Sequence, residues 1–174
     1  MAAALRLLQL GRSDVRLHLF DTFEGMTTPT EEDWSITSGF FASELLDGAT
    51  PSSKLIGVAA MGEVLANMRR TGYQMRFVHL VKGKVEETIP AFAPPKIAVL
   101  RLDTDWYAST KHELIHLYPR LSPGGVLIID DYGYWAGARK AVEEYLQETS
   151  TRLLLTRIDN TGRIGVKTHF PGIE

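Results

Sequence analysis

Residues 97–132 read IAVLRLDTDWYASTKHELIHLYPRLSPGGVLIIDDY. Two short apolar runs in this stretch, 97–102 and 126–129, each end in a pair of acids. Asp103 and Asp105 follow the first run, and Asp130 and Asp131 follow the second. Both runs are rich in Val, Ile and Leu and are bounded by Pro or Gly, which is the pattern of strands buried on both faces of a parallel sheet. The intervening residues 109–121 are long enough for a crossover helix. The stretch therefore reads as a β-α-β unit with four carboxylates at the carboxyl ends of two strands. That is the edge at which open α/β sheets bind ligands.

Four acids at one edge repel, and carboxylates that share a site push each other's pKa upward. A divalent cation removes the conflict. Hard ions such as Mg²⁺ take a few carboxylates together with water or substrate oxygens. Asp103 and Asp105 are two apart, so in an extended segment they project to the same side. Asp130 and Asp131 are adjacent, so the chain must bend for both to reach one ion. Taken singly, each acid is most simply a solvated or helix-capping group. Two clusters on one predicted edge favour a shared site instead.

The bulk composition narrows the function classes. A chain of 174 residues suits one domain, 1–174, with a real core. A net charge of −2, without a basic tail, gives no nucleic-acid footprint. The absence of cysteine excludes disulfides and thiolate chemistry and fits a cytoplasmic protein. No apolar run approaches the length needed to cross a membrane. The opening MAAALRLLQLGR has no basic region ahead of its apolar part, so it reads as a helix and not as a signal peptide.

Taken in order, residues 2–10 form a helix with Gly11 as its stop. Residues 15–20 alternate as a strand ending in Asp21, an acid placed where nucleotide-binding folds hold ribose hydroxyls; a turn-forming role is as good a reading. Residues 27–53 are polar and mixed, with Trp34, Phe40 and Phe41 among them, and are expected to act as a lid or insertion. Val58, Met61, Val64, Leu65 and Met68 have helical spacing, and Gly72 follows them. Residues 77–81 form a strand, VEETIP a turn of helix, and residues 136–148 an amphipathic helix. Residues 153–158 and 164–168 are strands flanking Asp159-Asn160-Thr161-Gly162, a hairpin turn. The alternation argues for an α/β fold with a mainly parallel, Rossmann-like sheet and a C-terminal antiparallel hairpin.

The segments FDTFEGM, MGEVLANMRRTGY, VKGKVEETIP, LDTDWYAST, LSPGGVLIIDDYGYWAGARKAVEEYL and IDNTGRIGV resemble, in order, the macrocin O-methyltransferase family. The resemblance runs from about Phe20 to the C-terminus. It implies a class I methyltransferase fold, S-adenosylmethionine as methyl donor, Mg²⁺ as metal, and a hydroxylated small-molecule acceptor, a glycoside, with no nucleic acid or membrane partner. Carried over, Asp103, Asp130 and Asp131 would hold the metal and Asp105 would be the general base. Asp21 and Thr22 would lie at the cofactor's ribose and Gly83 near its adenine, with Asp103 also facing the cofactor. The resemblance further implies a strand and a Gly-rich turn ahead of the helix at 2–10, so the domain is expected to be shortened at its N-terminus. A sheet lacking that central strand is expected to show a gap and unpaired edges.

These roles agree with the chemistry. A sugar hydroxyl is a poor nucleophile at neutral pH; a metal lowers its pKa and a neighbouring carboxylate takes its proton. The competing reading is a degenerate methyltransferase-like protein that binds a ligand without turnover. A metal-dependent phosphohydrolase is weaker, because no phosphate-cradling Gly loop or basic pair stands beside the acids. His112-Glu113-Leu114-Ile115-His116 matches a zinc-protease pattern, but on a helix expected to cover a sheet face and without a third ligand. Ser109 and Thr110 are expected to cap that helix. Trp106 and Tyr107 either wall the acceptor or pack. The acceptor's identity and the oligomeric state, a homo-oligomer included, are left open by the sequence.

Overall fold

The computed structural model describes residues 1–47, 49 and 58–168. In chain order the elements are α1 (Ala2–Gln9), β1 (Leu17–Asp21), α2 (Ala42–Asp47), α3 (Met61–Arg70), β2 (Val78–Lys82), α4 (Val85–Thr88), β3 (Ile97–Leu102), α5 (Tyr107–Leu117), β4 (Leu121–Ile129), α6 (Ala136–Glu148), β5 (Thr156–Arg157) and β6 (Arg163–Val166). Short 3-10 turns, Met75–Phe77 and Tyr118–Arg120, lead into β2 and β4. The chain divides into two compact units. One comprises Met1–Thr27 and Ala49–Thr88; the other comprises Thr28–Gly48 and Ile89–Glu174.

In the first unit β1 and β2 run parallel, with Leu17 opposite Val78 and Asp21 opposite Lys82. Its core centres on Ala4, Met68 and Tyr73, with Leu7, Leu8, Leu17, Val64 and Phe77 packed around them. Of the expected stripe, Val64 and Met68 serve packing, whereas Val58 lies ahead of α3 and both Val58 and Met61 are exposed. The Tyr73 hydroxyl donates to the Val15 carbonyl at 2.7 Å and ties the end of α3 to the start of β1.

In the second unit the sheet order is β3-β4-β6-β5. β3 and β4 are parallel, whereas β4–β6 and β5–β6 are antiparallel. Leu102 lies opposite Ile129, so Asp103 and Asp130 leave the sheet side by side. Leu100, Leu102, Leu127 and Ile129 are buried, as are Leu114 and Leu117 of α5 and Ala138, Ala141, Val142 and Tyr145 of α6. α5 packs against α6 and β3. Period-2 alternation puts Leu100 and Leu102 on one face and Val99 and Arg101 on the other. Val99 is 61 % exposed. Among the described residues of this unit, α5 packs on β3 while Val99 and Arg101 stand exposed, unlike the expected burial on both faces.

Three further boundaries differ from expectation. β4 starts at Leu121 and carries Ser122-Pro123-Gly124-Gly125 within it. Pairing to neighbours overrides the turn chemistry of these residues: the Gly124 amide donates to Lys167 O at 2.7 Å. A Cβ at Gly125 would come within 2.7 Å of both Leu121 Cδ1 and Ser122 O, so the strand passes there only as glycine. β5 shrinks to two residues, because the residues before it have little to pack against; Leu154 is 83 % exposed. α5 begins at Tyr107, two residues early, so Ser109 lies inside the helix. Its hydroxyl bonds to Thr104 O and Trp106 O.

Among the described residues the strands form a two-stranded sheet in the first unit and a four-stranded sheet in the second. In the segment 28–47, Asp33 and Ser35 are fully buried. Trp34 bridges Phe41, and Ser35 bridges Trp135. The rest of the expected lid, residues 48 and 50–53, lies outside the described residues, as do residues 54–57.

Candidate active site

The Asp103-Thr104-Asp105 turn joins β3 to α5. It is held at its centre: Thr104 Oγ1 donates to Glu113 Oε2 at 2.8 Å, and Thr104 O accepts from Trp106 N at 2.8 Å and from Ser109 Oγ at 3.2 Å. With Thr104 anchored inward, the two flanking acids turn outward. Asp105 adopts φ +67°, in the left-handed region that Asp tolerates better than most side chains. The second pair follows β4, where Asp131 O accepts from Tyr134 N and Trp135 N, each at 3.0 Å, and bends the chain toward α6.

One oxygen from each of Asp103, Asp105 and Asp131 lies within 4.8 Å of the others. The sequence assigned Asp103, Asp130 and Asp131 to the metal, and the structure gathers Asp105 in place of Asp130. The Asp130 carboxylate instead meets Arg101 Nη2 at 3.1 Å. The same guanidinium reaches Asp103 at 2.9 Å. Arg101 is two residues before Asp103 and therefore on the same side of the strand. It was not singled out in the sequence, where an Arg inside an apolar run followed by DTD was the available signal.

The electrostatics describe a crowded site. Burial and contact with Asp130 push the Asp103 carboxyl up to about 7, against the opposing pull of Arg101. Burial and a hydrogen bond with Asp131 push Asp105 up to about 9, while a hydrogen bond from the Trp135 side chain opposes the rise. Burial likewise raises Asp131. The arrangement favours protons or a cation over three bare carboxylates. An all-oxygen donor set of this kind suits a hard divalent ion and offers nothing to a soft one.

Asp21, Thr22 and Gly83 lie in the other unit, at the carboxyl ends of β1 and β2. Gly83 N donates to Asp21 O at 3.0 Å, which brings the two strand ends together. Asp21 Oδ1 accepts from Phe23 N at 2.6 Å, and Thr22 Oγ1 donates to Gly25 O at 2.6 Å. Both recorded side-chain bonds of Asp21 go to Oδ1. An exposed carboxylate with its second oxygen turned from these bonds is a suitable acceptor for ribose hydroxyls. Gly83 has φ +137°, and a Cβ there would press on Thr88 Cγ2 at 2.9 Å.

The remaining candidates are structural. Trp106 is buried edge-to-face against Trp135 at 5.0 Å, and the Tyr107 hydroxyl donates to Glu144 at 2.7 Å. His112 Nε2 lies 2.9 Å from Ile89 O, and buried Glu113 is bound to Thr104, so of the HExxH residues Glu113 holds the acidic turn from behind. His18 stacks on His79 at 4.7 Å across the parallel β1–β2 pair.

Residues 1–165 match the family profile of macrocin-O-methyltransferase (TylF). The chain is 35 % identical over 149 residues, 84 % of its length, to the 8-demethyl-8-(2,3-dimethoxy-alpha-L-rhamnosyl)-tetracenomycin-C 4'-O-methyltransferase of Streptomyces olivaceus. It is 32 % identical over 142 residues, 82 % of its length, to the mycinamicin III 3''-O-methyltransferase of Micromonospora griseorubida. These matches span 53 % of each relative, so the chain spans about half the length of the curated relatives it matches. The solved structure of the O-methyltransferase NovP superposes with a TM-score of 0.78 at 27 % identity, covering 94 % of this chain and 64 % of that one. The calicheamicin methyltransferase CalS11, at TM-score 0.61 and 21 % identity over 87 % of this chain and 60 % of that one, shares the fold. With its mixed α/β architecture, its parallel strands ending in acids and its antiparallel C-terminal pair, the chain belongs to the macrocin O-methyltransferase family.

Proposed function

We propose that the protein transfers a methyl group from S-adenosylmethionine to a hydroxyl of a sugar or related natural-product glycoside, with Mg²⁺ at the acidic site. The observation that carries this reading is the approach of Asp103, Asp105 and Asp131 to within 4.8 Å at the carboxyl end of a parallel strand pair. The named relatives act on glycosylated natural products, which supports a glycoside acceptor. When bound, S-adenosylmethionine supplies the electrophilic methyl group, and Mg²⁺ lowers the pKa of the acceptor hydroxyl and fixes its direction.

The chain's own residues supply the rest. Asp103 and Asp131 hold the cation, with Asp130 reaching it only on leaving Arg101. Arg101 offsets part of the charge and keeps Asp103 and Asp130 together. Asp105 accepts the hydroxyl proton as the new O–C bond forms; it ionises more readily beside a cation than in the empty cluster. The Trp135 side chain favours the charged form of Asp105. Asp21 accepts from the ribose hydroxyls, and Thr22 and Gly83 shape the strand ends beside it. The remaining barrier is one of alignment, oxygen to methyl carbon to sulfur.

Isothermal titration of the chain with S-adenosylmethionine and S-adenosylhomocysteine, with and without Mg²⁺, tests the proposal. Binding of both nucleosides, with Mg²⁺ bound independently and lost in Asp131→Asn, is the expected result. No nucleoside binding at millimolar concentration rules out methyl transfer by this chain.

A further inference from the structure

The N-terminus of α5 carries the acidic turn, yet none of its own first residues caps it. The first helical amide, Tyr107 N, has no partner within the helix by geometry. It donates instead to Asp33 Oδ1 at 2.7 Å, across 74 residues of sequence. The other carboxylate oxygen, Oδ2, accepts from Thr30 N at 2.8 Å and Thr30 Oγ1 at 3.0 Å. Asp33 is fully buried. A buried carboxylate is costly unless donors surround it. Here three donors and the positive end of an 11-residue helix do so.

Two neighbours show that the position is built around this side chain. A Cβ added at Gly137, in the first turn of α6, would overlap Asp33 Oδ1 and come within 3.0 Å of Tyr107 N. The segment carrying Asp33 is pinned to the chain just before α6: Ile36 N donates to Tyr134 O at 2.8 Å and Ala136 N to Trp34 O at 2.9 Å. Trp135, between those two bonds, is a residue whose side chain acts on the charge of Asp105. Asp33 therefore touches the helix that follows Asp105, and its segment is bonded to the chain on both sides of Trp135.

We propose that Asp33 is the positioning residue of the acidic site. It clamps the N-terminus of α5 and so sets the direction of Asp105, which adopts φ +67° two residues earlier. The proposal rests on the reading of Asp103, Asp105 and Asp131 as a cation site, and it assigns to the 28–47 segment a part in building that site.

Amide exchange and Mn²⁺ binding on the 174-residue chain, as wild type, Asp33→Asn and Gly137→Ala, test it. In the wild type the Tyr107 amide, which as a first-turn donor would otherwise exchange freely, should be protected. That measurement stands whether or not a variant folds. In Asp33→Asn an amide donor replaces one acceptor oxygen; in Gly137→Ala the new methyl displaces the carboxylate while leaving its charge. Both should lose Tyr107 protection and bind Mn²⁺ about tenfold more weakly, the scale on which outer partners orient metal ligands. A freely exchanging Tyr107 amide in the wild type overturns the proposal. So do folded variants that bind Mn²⁺ with unchanged affinity, since a purely structural role would lower the melting temperature alone. A wild-type chain that binds no Mn²⁺ overturns the cation reading instead, and leaves the clamp to be judged on Tyr107 protection.

Discussion

Asp105 combines two unusual properties: a left-handed backbone and a carboxyl pKa raised to about 9 by burial and by Asp131. Asn tolerates the same backbone region, so Asp105→Asn removes the acid while keeping the turn. If Asp105 is the base, this variant should lose about 10²- to 10⁴-fold in turnover, the range expected of a positioned proton acceptor. Substrate KM should move little, and both parameters are read from initial rates of methyl transfer. The metal ligands make a ranked prediction. Asp131→Asn should weaken Mn²⁺ binding more than Asp130→Asn does, because Asp131 lies within the triad and Asp130 is engaged with Arg101. Equal losses in calorimetry would show that Asp130 leaves Arg101 to join the ion. At this scale the acids themselves were legible from their pairing after two apolar runs. Their grouping was not, because strand register and the bend after Ile129 decide which three oxygens meet.

The helix α5 shows what an element adds. Its position between two strands and its length follow from sequence spacing. Its first residue does not, because the cap comes from Asp33 and not from the Ser and Thr nearby. The same helix sends Glu113 back to Thr104 and Leu114 into the core. Leu114 is 1 % exposed, so Leu114→Ala should cost about 2–5 kcal/mol of stability in chemical denaturation, the range for emptying a packed leucine site. The outer ion pairs between α5 and α6 are different. Lys111 reaches both Glu144 and Glu148, and Glu148 is the more exposed of the two acids. Loss of a solvated partner costs little where a second acid remains, so Glu148→Gln should leave the denaturation midpoint nearly unchanged.

For the molecule as a whole, the acidic cluster couples stability to pH. Asp103 and Asp105 are raised to about 7 and about 9, above their unfolded values near 4. A carboxyl raised in this way contributes stability that is fully present below its unfolded-state pKa and is lost as pH climbs from there to the folded-state value. The melting temperature of the metal-free chain should therefore fall from about pH 4 to about pH 9, with Asp103 contributing up to about pH 7 and Asp105 alone above it. Saturating Mg²⁺ should remove most of the fall, and Asp105→Asn should flatten its upper part. His18 and His116, whose pKa values burial lowers, act with the opposite sign, below the ordinary imidazole value and so in the lower part of that window. Differential scanning calorimetry at several pH values checks this; a flat metal-free profile would mean that the three carboxylates are not crowded in solution. By itself, the sequence determined the alternation of helices and strands, the edge where acids collect and the family. Those features are local: apolar periodicity and residue type at strand ends do not depend on distant contacts. Only the tertiary structure decided that Asp105 joins Asp103 and Asp131 while Arg101 takes Asp130, and that a buried Asp33 holds the helix after them. It also decided that Val99 and Arg101 of β3 are exposed within their unit. Each of these depends on register and on contacts between residues far apart in the chain, where no short-range rule acts.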